Sequence, residues 1–301
     1  MRRRLVIFAG AHKTASSHLQ HSLLGSQTAL ADLGIAAIGP KTMRQDLTPL
    51  SQLLRDGMTP EVVRAGADGF LQHHGGDADT VALMDENILG GTDRKMLLRK
   101  TRLYPWAPGR MARLLDLFDG HDVQLALATR NPATFFPSCW GESLHHGRYD
   151  DFADYIRGFD LARPIWTELT DRLKETCPTL KIMLWRYEDY AQLGPALFGH
   201  LLKPEAENAV QLDPKIRRAG LSQRAAEWFQ TQETRGKDTV QEARQRYPKT
   251  GPETAYVPWS GEELARITAS YDHDLAQASS VTRVSGGKKD DPVTLARLCQ
   301  I

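Results

Sequence analysis

Leu5-Val-Ile-Phe-Ala-Gly-Ala-His-Lys-Thr-Ala-Ser-Ser-His-Leu-Gln20 carries three local signals in one short stretch. Leu5 to Ala9 is an unbroken apolar run, which reads as a strand buried on both faces, because a half-exposed strand alternates apolar with polar residues. Small residues around Gly10 then make a turn, and Ser16 and Ser17 open a helix. A strand, turn and helix in this order form an anion site. Free N–H groups at the helix start face the turn, the helix dipole adds partial positive charge, and small side chains let an oxyanion come close. Lys13, Thr14, Ser16 and Ser17 add side-chain donors at the same spot.

Working outward, short apolar runs alternate with amphipathic helical stretches, the pattern of a parallel sheet covered by helices. The runs are 5–9, 80–84, 123–129 and 180–185; helices are expected at about 17–33, 60–73, 109–118, 132–142, 152–173 and 190–202. After about residue 205 no further strand is expected. Two more helices read at 222–246 and 260–277, the second opened by Ser260-Gly-Glu-Glu, an approximate capping box. The expectation is one α/β domain over 1–301, a parallel β-sheet flanked by helices. Its core spans about 1–205 and a helical C-terminal extension about 206–280. Ser285 to Pro292 is polar and glycine-bearing, so it reads as a mobile loop or, with Lys288 and Lys289, as a basic flap over a bound anion.

Composition narrows the classes of function. The 301 residues hold 38 Lys+Arg against 37 Asp+Glu, a net charge of +1, so no overall field draws the chain to nucleic acid and anion binding must be local. Three scattered cysteines, Cys139, Cys177 and Cys299, have no C-x-x-C spacing; they argue against a disulfide framework or zinc site and for a reducing, cytoplasmic setting. The Met1-Arg-Arg-Arg start superficially suggests a signal peptide, but its apolar run is short and His12 and Lys13 follow at once. No apolar stretch is long enough to span a bilayer.

The Walker A loop G-x-x-x-x-G-K-[ST] does not fit the first stretch. Counted from Gly10, its second glycine falls on Ala15 and its lysine on Ser16, while the lysine present sits inside the loop. The residues Gly10-x-x-Lys13-Thr14-x-x-Ser17-x-Leu19-Gln20 instead resemble the 5′-phosphosulfate loop of sulfotransferases, G-x-x-K-[TS]-G-[TS]-T-x-L-Q. The chain departs in having Ala15 for the glycine and serines for threonines. The resemblance implies a P-loop-like three-layer fold, the co-substrate 3′-phosphoadenosine 5′-phosphosulfate (PAPS), and a donor site at Gly10, Ala11, His12, Lys13, Thr14, Ala15, Ser16 and Ser17.

Two later stretches extend the resemblance. Arg130-Asn-Pro-x5-Ser138 follows an apolar strand, with Asn131 placed to cap a helix and Pro132 suited to its first position. It is similar to the family's 3′-phosphate motif R-[DN]-P-x5-S, in which Arg130 and Ser138 would hold the 3′-phosphate. Tyr187-Glu188-Asp189 resembles a Y-E-D segment in which the tyrosine borders the nucleotide. The resemblance covers about residues 4–205 and implies a bacterial-style enzyme that uses no metal.

Sulfuryl transfer needs a cation at the leaving oxygen and a base for the acceptor proton. Lys13 suits the first role. For the second, Asp85 and Glu86 end the 80–84 strand; Glu86 is the expected base, as the family resemblance also implies, and Asp85 the runner-up. The same Asp-Glu ending also looks like a Walker B strand, which keeps a magnesium-dependent kinase or NTPase as the alternative. His73-His74 and His145-His146 lack metal spacing and read as solvated or substrate-rim residues. Trp106, Trp140 and Trp166 read as core or pocket wall, with Trp140 and Glu142 bordering the acceptor cleft. The acceptor, a sugar, a lipid headgroup or a small alcohol, would enter between loops at about 40–60, 87–108 and 140–150.

Overall fold

The structure is a computed structural model in which residues 1–45, 60–215, 220–278 and 281–284 are described. The expectations for Ser285 to Pro292, for Cys299 and for the acceptor loop beyond residue 45 lie outside these residues. Among the described residues eight strands occur in chain order: β1 (Arg4–Phe8), β2 (Ile35–Ile38), β3 (Thr80–Met84), β4 (Leu98–Arg99), β5 (Arg102–Leu103), β6 (Asp122–Thr129), β7 (Lys181–Arg186) and β8 (Thr282–Arg283). Six of them form an all-parallel sheet in the order β2-β3-β1-β6-β7-β8, while β4 and β5 make a small antiparallel pair.

The continuous apolar runs are explained by burial on both faces. Leu5 and Ile7 of β1, Val81 and Leu83 of β3, and Leu125 and Leu127 of β6 enter one core; helices Pro60–Gly75, Ala107–Leu117, Pro132–His145, Ile165–Thr176 and Gly261–Gln277 cover it. The alternate residues, Val6, Phe8, Ala82, Met84, Ala126 and Ala128, enter a second core under Ser16–Gly25 and the short helices between Tyr190 and Ala209. This is a three-layer α/β fold.

Two strands of the six-stranded sheet run against expectation. β2 is Ile-Ala-Ala-Ile, too short and too alanine-rich to stand out from a helical background, and it follows the left-handed Gly34 (φ +69°). β8, after the Gly261–Gln277 helix, pairs beside Met183 and Leu184 of β7 and corrects the expectation of a strand-free extension.

Long helical readings break where backbone punctuation falls. Residues 17–33 split at Ser26, whose hydroxyl donates to the Ser22 carbonyl and accepts from the Gln211 N–H. Residues 152–173 split between the left-handed Gly158 and Pro164, and 190–202 split at Gly194-Pro195. Residues 222–246 divide into Gln223–Gln230 and Lys237–Arg246. The full capping box at Ser260 and Glu263 is present.

Pro137 inside the Pro132–His145 helix removes the N–H that Ala133 would have bonded. Trp259 Nε1 donates to that carbonyl at 2.8 Å instead, which docks the extension onto the core. Among the described residues no helix is long and apolar enough to cross a membrane.

Candidate functional site

Strand register brings the three motifs together. Phe8 pairs with Met84 and with Ala126, so the segments after β1 and β3 leave the sheet side by side. Thr129 pairs with Arg186, which makes the next residues, Arg130 and Tyr187, neighbours. All four segments leave the carboxyl edge, and the chain turns to opposite sides of the sheet after β1 and after β6. That switch point is where open α/β sheets bind ligands. A cleft of about 640 Å³ opens there, lined by His12, Lys13, Ala15, Ser16, Ser17, Glu86, Arg130, Ser138 and Tyr187.

The first loop is built to expose amides. Lys13 and Ala15 both take left-handed backbone (φ +62°), and alternation of that conformation turns successive N–H groups inward. Ala15 is the N-cap residue of Ser16–Gly25 without a side-chain cap, and no acidic residue occupies that helix's first turn. The amides of this first turn thus lack a side-chain cap, and no acidic side chain offsets the helix's positive end. Gly10, Ala11 and Thr14 stand behind the loop rather than in the cleft. The buried Thr14 hydroxyl donates to the Ala11 carbonyl at 2.5 Å, and Ala11 N–H donates to the Ala128 carbonyl at 3.3 Å.

Arg130 joins the motifs. Its guanidinium donates through Nη1 to the Lys13 carbonyl and through Nε to Thr134 Oγ1 at 3.0 Å, and its Cζ lies 4.5 Å from the centre of the Tyr187 ring. Asn131 caps the next helix, accepting from the Ala133 N–H at 2.9 Å. Glu188 receives the Asn131 N–H on one oxygen (2.8 Å) and the Tyr271 hydroxyl on the other (3.0 Å). Burial raises the Glu188 carboxyl above its ordinary value, against the Asn131 N–H and the charges of Arg130 and Arg186.

The two carboxylates after β3 differ. Asp85 turns away from the cleft: Arg44 donates to both its oxygens, and its Oδ1 also accepts from the Asn87 N–H at 2.9 Å. Glu86 lines the cleft and accepts from Gln20 Nε2 at 2.9 Å, with Arg44 Nη2 3.6 Å from its other oxygen. Burial alone would raise its carboxyl. The hydrogen bonds from its own N–H and from Gln20, with the nearby His12 and Arg44, outweigh burial and hold it below the ordinary value.

His12 is a buried imidazole. Desolvation lowers its pKa, against the Asn87 hydrogen bond and three nearby carboxylates. The Tyr104 hydroxyl accepts from the His12 backbone N–H (2.9 Å) and also hydrogen-bonds ring Nδ1 (2.8 Å), while Nε2 pairs with Asn87 Oδ1 (3.2 Å). On the opposite wall Lys13 Nζ lies 3.1 Å from Glu142 Oε2, and His146 Nε2 is 3.7 Å from Glu142 Oε1.

The remaining expectations divide. Trp140 and Trp166 are fully buried and Trp106 is exposed; Trp140 packs against Phe152, Phe229 and Tyr256 in the core instead of bordering the cleft, whereas Glu142 does border it. His146 reaches the rim, while His73 and His74 stack edge to face on the Pro60–Gly75 helix. Cys139 and Cys177 are buried free thiols, and burial pushes Cys139 up to about 12. Among the described residues no three His, Cys, Asp or Glu side chains group as a metal site.

Sequence reasoning missed Gln20 as the partner of Glu86, Arg44 as the partner of Asp85, and the buried Glu188–Tyr271 pair. It also missed the wall that the extension supplies through Leu221, Lys249, Tyr256 and Val257. Scans against protein-family models, curated proteins and solved structures find no match to this chain.

Proposed function

We propose that this chain is a sulfotransferase that moves the sulfuryl group of PAPS onto a hydroxyl or amine of an acceptor. The acceptor is a carbohydrate, lipid headgroup or small alcohol. One observation carries the reading: Arg130 touches the Lys13 carbonyl and the Tyr187 ring in one cleft that Ser138 also lines, so three separate motifs converge on a single cleft.

In this reading the loop amides and the hydroxyls of Ser16 and Ser17 hold the 5′ end of the donor, and Arg130 with Ser138 holds the 3′-phosphate. Glu86 takes the acceptor proton as the acceptor oxygen bonds to sulfur. The bond from sulfur to the 5′-phosphate oxygen breaks, its electron pair stays on that oxygen, and Lys13 neutralises the charge that develops. Arg44 and Asn87 already occupy the Asp85 oxygens, which speaks against the magnesium kinase alternative, where this carboxylate would organise a metal.

Calorimetric titration with 3′,5′-diphosphoadenosine against ATP·Mg²⁺ tests the reading. The diphosphate is expected to bind with the higher affinity, and a preference for ATP·Mg²⁺ would overturn it. Lys13→Ala is expected to fold normally and to lose sulfuryl transfer by orders of magnitude.

A further inference from the structure

The transfer scheme leaves Glu142 without a role, yet Glu142 holds the cation on which the scheme depends. The 3.1 Å pair with Lys13 is well shielded: the two side chains are only 15% and 14% exposed. Glu142 is fixed on the Pro132–His145 helix, one turn beyond Ser138. The Lys13 backbone is fixed too, by its left-handed conformation and by Arg130 on its carbonyl. Only the lysine side chain is left to turn.

One ammonium cannot serve this carboxylate and an incoming phosphosulfate at full strength. The two anions compete for it and repel each other across the same space. Parting a shielded pair is costly when it strands a charge. Here the carboxylate keeps the field of the Arg244 guanidinium, on the Lys237–Arg246 helix, and His146 Nε2 lies 3.7 Å from its other oxygen.

Building on the sulfuryl-transfer reading, we infer that Glu142 is a positioning residue that exchanges partners with the donor. Without donor it extends the Lys13 ammonium across the cleft and fixes its rotamer. When a phosphosulfate or its product settles on the loop, Lys13 moves to the 5′-phosphate oxygen and Glu142 stays beside His146 and Arg244. Glu142 therefore opposes donor binding while holding Lys13 in readiness.

The test uses the full chain and 3′,5′-diphosphoadenosine. Calorimetry should show Glu142→Gln binding the diphosphate roughly 3- to 10-fold more tightly than wild type, since the amide competes weakly for the ammonium. A structure of the wild-type complex should show Lys13 Nζ more than about 4 Å from both Glu142 oxygens. Equal or weaker binding by a normally melting Glu142→Gln overturns the exchange, as does an intact Lys13–Glu142 contact in the complex. If the variant does not fold, the wild-type complex decides alone. Wild type that fails to bind the diphosphate overturns the sulfotransferase reading itself, whereas wild-type binding without the gain removes only the exchange.

Discussion

The Gln20 side-chain amide donates to Glu86 Oε2 at 2.9 Å, so the helix that begins at the anion loop also holds the carboxylate proposed as the base. The proposed donor loop and the proposed base are thereby set in one frame. A base acts only while the acceptor proton moves, so Glu86→Gln is expected to lower turnover by about 10²- to 10⁴-fold and to leave diphosphate affinity nearly unchanged. Parallel calorimetry and rate measurements check this. Full turnover by Glu86→Gln with a dead Asp85→Asn would move the base by one residue. Because Gln20 helps to hold the Glu86 carboxyl below its ordinary value, Gln20→Leu should shift the acidic limb of the kcat profile to higher pH.

Arg130→Ala is expected to weaken diphosphate binding by about 1.5–3 kcal/mol, the usual cost of a lost charge-assisted contact. Adenosine 5′-phosphosulfate lacks the 3′-phosphate and should lose much less. Equal losses for the two ligands would show that Arg130 serves only to hold the Lys13 carbonyl.

Ala15 sits at φ +62°, where a β-carbon is strained and glycine is not. Ala15→Gly should therefore stabilise the fold by about 0.5–1 kcal/mol despite the extra freedom of glycine in the unfolded chain. Urea unfolding at neutral pH measures it, and a loss of stability would contradict the strain argument.

His12 titrates below its ordinary value when folded, because burial disfavours the imidazolium. A proton then binds the unfolded chain more readily than the folded one. The stabilising contribution is complete above the unfolded pKa of about 6.5 and is lost as the pH falls from there towards the folded value. Urea midpoints from pH 8 to pH 5 should fall more steeply for wild type than for His12→Gln. Parallel curves would mean that the buried ring does not control this window.

The strands that position the site were legible because each carries a mostly apolar run, and Arg130, Asn131 and Pro132 announced their helix through capping chemistry alone. The edge of the sheet was not. β2 offers two alanines between isoleucines, and β8 is two exposed residues whose pairing depends on a distant partner. Side-chain pairs such as Gln20–Glu86, Arg44–Asp85 and Lys13–Glu142 join segments that no local pattern connects, so only the sheet order reveals them. Likewise Tyr256 reaches the cleft by packing on Trp140, a contact between distant parts of the chain.

The β7–β8 pairing has a kinetic consequence. Met183 and Thr282 join across about a hundred residues, and closing so long a loop costs entropy that two exposed strand residues repay poorly. The outer edge should therefore assemble after β3, β1, β6 and β7 have already formed, and reopen most readily under native conditions. Amide hydrogens of Arg283 and Val284 should exchange well before those of β1, and equal protection would mean that this edge belongs to the same cooperative unit as the centre of the sheet.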